Sequence, residues 1–172
     1  MRHFLLEVAG QQLAPQLTTH SESQLAVFNP IYIYGPKGTG KTHLLQSVAY
    51  ALKAAGVKVL YARAETFTDH VVAAIRAGEM STFRKAYRSS DVLLLDDIHV
   101  FSRKGATQEE LFHTFNTLHL VGKQIILTSN CAPQELKMIE ARLVSRFEWG
   151  IVLPLEPLRS EERLMALRVK AK

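Results

Sequence analysis

The sequence predicts an α/β fold, a parallel five-stranded sheet with helices on both faces. Three observations carry that expectation. Short runs of β-branched and aromatic residues alternate with segments of helical spacing, the order that builds a parallel sheet with crossover helices. Two of the runs, Asp91–Asp97 and Gln124–Thr128, are apolar without alternation, as strands buried on both faces are. Between a strand-like run and a helix-like one, Gly35–Thr42 reads Gly-Pro-Lys-Gly-Thr-Gly-Lys-Thr. That fills the phosphate-loop pattern G-x-x-x-x-G-K-[ST] at every fixed position.

Taken in order, Met1–Phe28 is the least informative stretch, with a short helix expected within Phe4–Leu17 and a polar loop at Thr18–Ser23. Asn29-Pro30 punctuates the entry to a first strand, Ile31–Tyr34. A helix with Leu44, Leu45, Val48, Ala49 and Leu52 along one side runs to about Ala54 and stops at Gly56. Val57–Tyr61 reads as the second strand. Thr66 is placed to cap a helix whose Phe67, Val71 and Ile75 share a face, broken at Gly78. A short basic helix follows, with Met80, Phe83 and Tyr87 inward and Arg84, Lys85 and Arg88 outward. Asp91–Asp97 is the third strand. Thr107-Gln108-Glu109-Glu110 has the form of a capping box, ahead of an amphipathic helix with Leu111, Phe112, Phe115 and Leu118 that Gly122 ends. Gln124–Thr128 is the fourth strand, leaving through Ser129-Asn130. Glu140–Arg146 reads as a short helix and Ile151–Leu153 as a last strand, closed by Pro154 and Pro157. Ser160 is placed to cap a final helix, Glu161–Lys170.

At 172 residues the chain suits one domain with a real core. No apolar run approaches the roughly 20 residues that cross a bilayer. Met1–Glu7 meets a charge too soon for a signal-peptide core. Cys131 is the sole cysteine, which rules out an intrachain disulfide and fits a reducing cytoplasm. The net charge of +5 permits a polyanion partner without requiring one. His113 and His119 lie six apart, not the three or four of a helical ligand pair, so no metal site of that kind is expected.

Ligands of parallel sheets sit at the C-terminal strand ends, a rule that puts Gly35–Thr42, Asp96-Asp97 and Ser129-Asn130 on one rim. Lys41 would reach the β- and γ-phosphates of a nucleotide and Thr42 would offer its hydroxyl to Mg²⁺. Asp96, ending an apolar strand, is placed to hold that ion, and Asp97 to orient attacking water. An Asp pair after a strand also serves as a turn or cap; beside a complete phosphate loop the chemical role is favoured. Asn130 can hold the water or touch the γ-phosphate, or be a turn residue. Arg142 and Arg146, four apart, face one side of a short helix, and spacing alone favours ordinary surface arginines there. Arg76, Arg84, Lys85, Arg88, Arg103 and Lys104 fit either a nucleic-acid track or a charged helix surface.

Beyond the phosphate loop, the residues closely resemble the AAA+ ATPase domain of the DnaA replication-initiator family. Phe28–Gly35, Gly40–Leu45, Phe83–Ser89 and Leu94–Ile98 carry the likeness, with Thr107–Leu118 (TQEELFHTFNTL), Gly122–Ser129 (GKQIILTS) and Arg142–Gly150 (RLVSRFEWG) the most distinctive. The resemblance covers about Asn29 to Lys172. It implies an AAA+ P-loop NTPase with ATP and Mg²⁺ as cofactors. The implied nucleotide contacts are Gly35, Pro36, Lys37, Gly38, Thr39, Gly40, Lys41, Thr42 and His43. Thr42 and Asp96 would serve the metal, with Asp97 completing Walker B and Asn130 at the sensor 1 position. Arg142 would be the finger that reads ATP on the next protomer, with Arg146 supporting assembly. The helical insertion, about residues 64–90, would face single-stranded DNA, with Val72, Lys104 and Thr107 at strand-contacting positions. The implied activity is ATP-dependent assembly into an oligomer or filament on origin DNA, with slow hydrolysis as the off switch and the replicative helicase as a further partner.

Three departures qualify it. Asn130 stands where the family usually has Asp, and Ala106 where it often has a strand-contacting arginine. Residues 1–28 lack a clear adenine-contacting box. Residues 29–157 are expected to form the core and 158–172 to begin a lid helix, with the rest of the lid and the duplex-reading domain outside this chain. Two alternatives follow: a DnaA-related module that regulates initiators or the replisome, and a helicase loader. TQEELFHTFNTL and the long insertion argue against the loader.

Overall fold

The computed structural model describes residues 28–157. The expected helices at Phe4–Leu17 and Glu161–Lys170, the Thr18–Ser23 loop and the Ser160 cap lie outside the described residues.

Five parallel strands form one sheet in the order β2-β3-β4-β1-β5. They are β1 (Ile31–Tyr34), β2 (Val59–Arg63), β3 (Val92–Asp96), β4 (Gln124–Ser129) and β5 (Ile151–Pro154). β3 and β4 are buried along their whole length, as their uninterrupted apolar runs predict. The side chains alternate between two cores. Ile31, Ile33, Val92, Leu94 and Ile126 meet Leu45, Val48, Ala49 and Leu52 of α1 (Lys41–Ala54) on one face. Tyr32, Leu93, Leu95, Ile125 and Leu127 meet the other four helices on the opposite face. These are α2 (Ala64–Ala77), α3 (Met80–Arg88), α4 (Gly105–Leu120) and α5 (Ala141–Phe147). Helices therefore cover both faces, as predicted. Among the described residues no helix is long and apolar enough to cross a membrane.

Several boundaries move, each for a local reason. β2 begins at Val59, not Val57, because the Val57 N–H closes α1 onto the Leu52 carbonyl at 3.0 Å, with Gly56 left-handed at φ 82. α2 begins at Ala64 rather than after Thr66. Arg63 is still extended, Ala64 is fully buried, and Thr66 caps nothing. The buried face of α2 is Phe67, Val71 and Ala74, while Ile75 is 51% exposed. At about 100° per residue, a position seven residues after Phe67 stays nearer its line than one eight residues after.

α4 starts at Gly105, so Thr107 lies inside the first turn and is no cap. The buried Gln108 draws this turn inward. Its Nε2 donates to the Phe101 and Met138 carbonyls, both at 2.9 Å, and its Oε1 accepts the Glu140 N–H at 2.8 Å. Arg84 and Arg88 do not point freely outward but converge on the buried Glu110 of α4. α5 sits one residue later than expected. β4 and β5 each extend one residue further.

Candidate functional site

β1 ends where the phosphate loop begins. The Gly35 N–H donates to the Ser129 carbonyl of β4 at 3.3 Å, and the Leu155 N–H to the Tyr34 carbonyl at 2.6 Å. A Cβ on Gly35 would stand 2.1 Å from the Leu155 oxygen, so only glycine lets the chain pass that backbone. Gly38 (φ 83) and Gly40 (φ 94) then take left-handed conformations that curl the loop into α1. Gly40 brings no side-chain cap, and the first turn of α1 carries no acid. Such a helix start attracts an anion. Lys41 is 6% exposed, and its ammonium is held by the Gly35 and Pro36 carbonyls at 2.6 and 2.9 Å. Thr39 closes the curl by donating to the Pro36 carbonyl at 3.0 Å. Thr42 is half-buried on the first turn of α1, and Pro36, Lys37 and His43 are exposed around the loop.

Asp96 closes β3 and has no exposed surface. The Tyr61 phenol of β2 donates to its Oδ2 at 3.1 Å, and the Thr128 hydroxyl of β4 donates to its Oδ1. Thr128 also accepts the Asp97 N–H at 2.9 Å. One hydroxyl thus ties both acidic residues to the neighbouring strand. Asp97 is left-handed at φ 60, a conformation Asp tolerates, and its carboxylate is partly open to solvent. Burial pushes the Tyr61 phenol above its usual range, and the Asp96 carboxylate adds to that.

His99 follows on a short 3₁₀ turn, Ile98–Phe101. Its buried Nδ1 has no hydrogen-bond partner and lies 3.9 Å from Asp97 Oδ1. Burial holds its pKa below the ordinary histidine value. The Asp97 charge opposes that shift, and Lys37 and Lys41 reinforce it.

Asn130 is exposed just past β4, whose Ser129 pairs with Tyr34. The parallel register of β1, β3 and β4 puts the phosphate loop, Asp96-Asp97 and Asn130 along one edge of the sheet. Arg142 and Arg146 do not join it, because they face α4. Arg142 donates to Glu140 and to Glu109, Arg146 donates to Asn116, and each guanidinium carbon lies 4.2 Å from the Phe112 ring centroid. Val72 is exposed on α2 and Lys104 is half-buried ahead of α4. Thr107 is 3% exposed, so its side chain does not lie on a surface that a DNA strand would cross.

The donor set fits a nucleotide with magnesium. Mg²⁺ keeps several waters and takes one or two protein oxygens plus substrate phosphates. Thr42 and Asp96 are of that kind. Among the described residues no group of three or more His, Cys, Asp or Glu residues could hold a metal unaided. Sequence reasoning missed Tyr61, Thr128 and His99 around the acids and Glu109 and Glu140 around Arg142. A polar residue closing each of the adjacent buried strands was the one available signal for Thr128.

The family described as the bacterial DnaA ATPase domain matches residues 5–154. The chain is similar to chromosomal replication initiator protein DnaA 2 of Protochlamydia amoebophila, 72% identical over 168 residues, covering 98% of this chain and 36% of that relative. A solved replication initiator DnaA bound to AMPPCP and single-stranded DNA superposes with a TM-score of 0.79 at 44% identity. That match covers 94% of this chain and 50% of the other. Domain III of the Thermotoga maritima replication initiation protein DnaA gives 0.83 at 39% identity, covering 97% of this chain and 67% of the other. The chain spans about a third of the length of the curated relatives it matches, 36% and 29% for two of them. The fold, the complete phosphate loop and a family match over most of its length agree: the chain belongs to the bacterial DnaA ATPase domain family.

Proposed function

We propose that this chain is the ATP-binding AAA+ core of a chromosomal replication initiator, which assembles on origin DNA when ATP is bound and is switched off by slow hydrolysis. The observation that carries this reading is the buried Lys41 ammonium at the centre of the Gly35–Gly40 curl, on the same rim of the parallel sheet as the buried Asp96. A relative solved with AMPPCP and single-stranded DNA supports it.

Lys41 exchanges its two loop carbonyls for phosphate oxygens, and the loop amides with the start of α1 hold the rest of the polyphosphate. Thr42 and Asp96 would hold Mg²⁺, which neutralises charge developing on the transferring phosphoryl group. Asp97 holds the attacking water and takes its proton, with Asn130 orienting it. Thr128 keeps both aspartates in place. Arg142 reads the nucleotide of an adjoining copy and Arg146 supports that contact. Val72 and Lys104 line a path for single-stranded DNA along the insertion at 64–90. Residues 29–157 are the nucleotide-binding core. The sole cysteine, Cys131, fits a cytoplasmic site of action. The replicative helicase is a further partner of such an assembly.

Equilibrium binding of labelled ATP with Mg²⁺ tests the reading. Lys41→Ala should weaken binding by roughly a hundredfold or more, because a charge-assisted phosphate contact is lost in a buried loop. Unchanged affinity would remove the phosphate-loop assignment.

A further inference from the structure

The two aspartates of the rim are held in different ways. Both oxygens of Asp96 accept hydrogen bonds, one from Tyr61 and one from Thr128. Asp97 is tied by its backbone alone. Its N–H donates to Thr128 Oγ1 at 2.9 Å, and its carbonyl accepts the Val100 N–H at 3.1 Å. Among the described residues no hydrogen bond reaches its carboxylate. The His99 imidazole faces that carboxylate instead, with Nδ1 3.9 Å from Oδ1.

The imidazole is mounted on a fixed support. Ile98 and Phe101, which flank it on the 3₁₀ turn, have no exposed surface, and Gln108 Nε2 anchors the turn through the Phe101 carbonyl at 2.9 Å. Nδ1 is buried and has no partner, a costly state until an acceptor or donor arrives. Asp97 Oδ1 stands about 1 Å beyond hydrogen-bond distance, and bonds of this kind close when substrate is in place. Burial keeps the ring mainly neutral at pH 7; Lys37 and Lys41 act in the same direction, against Asp97 and Glu65. A neutral imidazole carries one N–H, and a carboxylate beside Nδ1 draws the proton to that nitrogen.

We infer that His99 is a positioning residue for ATP hydrolysis: its Nδ1–H donates to Asp97 Oδ1 and fixes the carboxylate, leaving Oδ2 for the attacking water. This rests on reading Asp97 as the group that holds that water. As the water oxygen bonds to the γ-phosphorus, the bond from phosphorus to the bridging oxygen breaks and its electron pair leaves with ADP. The water's proton passes to Asp97 Oδ2, and the imidazole keeps its own proton throughout. Thr128 thus fixes the backbone of Asp97 and His99 fixes its side chain.

Two measurements test it. Long-range proton–nitrogen NMR of the chain labelled at histidine, with Mg-AMPPCP bound, reports which ring nitrogen carries the proton, and His99→Asn identifies the signal. His99 should be in the Nδ1–H form, and Asp97→Ala should move it toward the Nε2–H form. An Nε2–H ring in the unsubstituted chain would overturn the inference, since Nδ1 would have nothing to donate. In single-turnover hydrolysis, His99→Ala should slow the reaction roughly tenfold, the worth of one hydrogen bond to a charged group, with ATP affinity unchanged. His99→Asn, whose amide nitrogen stands in for Nδ1, should recover most of the rate. An unchanged rate in His99→Ala, no recovery in His99→Asn, or a matching loss of ATP affinity would each overturn the inference and leave the Asp97 reading standing. If the unsubstituted chain hydrolyses no ATP, or if Asp97→Ala hydrolyses it at the same rate, the Asp97 reading falls and the inference with it.

Discussion

Thr128 carries more than its size suggests. Its hydroxyl donates to Asp96 and accepts the Asp97 N–H, so Thr128→Val would strip a partner from two groups at once. A buried acceptor left unsatisfied costs about 1–3 kcal/mol. Urea unfolding should show a loss of that size with an unchanged slope, and ATP turnover should slow because Asp97 is no longer held. The aspartates were legible, since an apolar run ending in acids is a pattern within one segment. The threonine was not. It lies 32 residues from Asp96, and its role exists only once β3 and β4 lie side by side, with Leu95 opposite Leu127. Thr107 shows the converse. Its neighbours spell a capping box, but Gln108 pulls the turn into the interior and the local signal loses to tertiary bonding.

The two helices after β2 show the same contest between pattern and partner. Phe83 and Tyr87 of α3 turn inward, as their spacing predicts. They pack edge-on to Phe67 at 5.4 and 4.9 Å, and burial pushes the Tyr87 phenol up to about 12. Arg84 and Arg88 read as a solvated basic face. Glu110, one helix away and 5% exposed, claims both, and no spacing rule within α3 reveals that. Burial disfavours the Glu110 carboxylate, but hydrogen bonds from Arg84 and Arg88 outweigh this, so its folded pKa lies below the ordinary value. The unfolded chain therefore takes up the proton first as pH falls. Stability from this cluster is complete above about pH 4.3, the ordinary glutamate value, and is lost as pH drops through the lower folded pKa. Glu110→Gln should cost about 1–2 kcal/mol at pH 7, discounted for the exposure of Arg84, and less at pH 3. Urea midpoints at the two pH values check it.

For the molecule as a whole, the order of strands and helices was legible, because each element carries its own period. The distribution of free charge was not. A net charge of +5 over 172 residues suggests a broad attraction for polyanions. Yet Arg84, Arg88, Arg142 and Lys123 all hold carboxylates of this same chain. Of the six basic residues that fit a nucleic-acid track, that leaves Arg76, Lys85, Arg103 and Lys104 to meet phosphates. At roughly −0.7 per phosphate, binding of the chain to oligo(dT) should show a log–log salt slope no steeper than about −3. A much steeper slope, read by fluorescence anisotropy, would mean that the internal pairs open on DNA.

β2 leads into α2 without a connecting loop, Arg63 ending the strand and Ala64 starting the helix. Tyr61 of that strand is bonded to Asp96, and Val72 rides on that helix. A joint with no spare residues has no slack to absorb a displacement. One continuous strand-and-helix segment therefore reaches from the carboxylate at the phosphate rim to the exposed face that carries Val72.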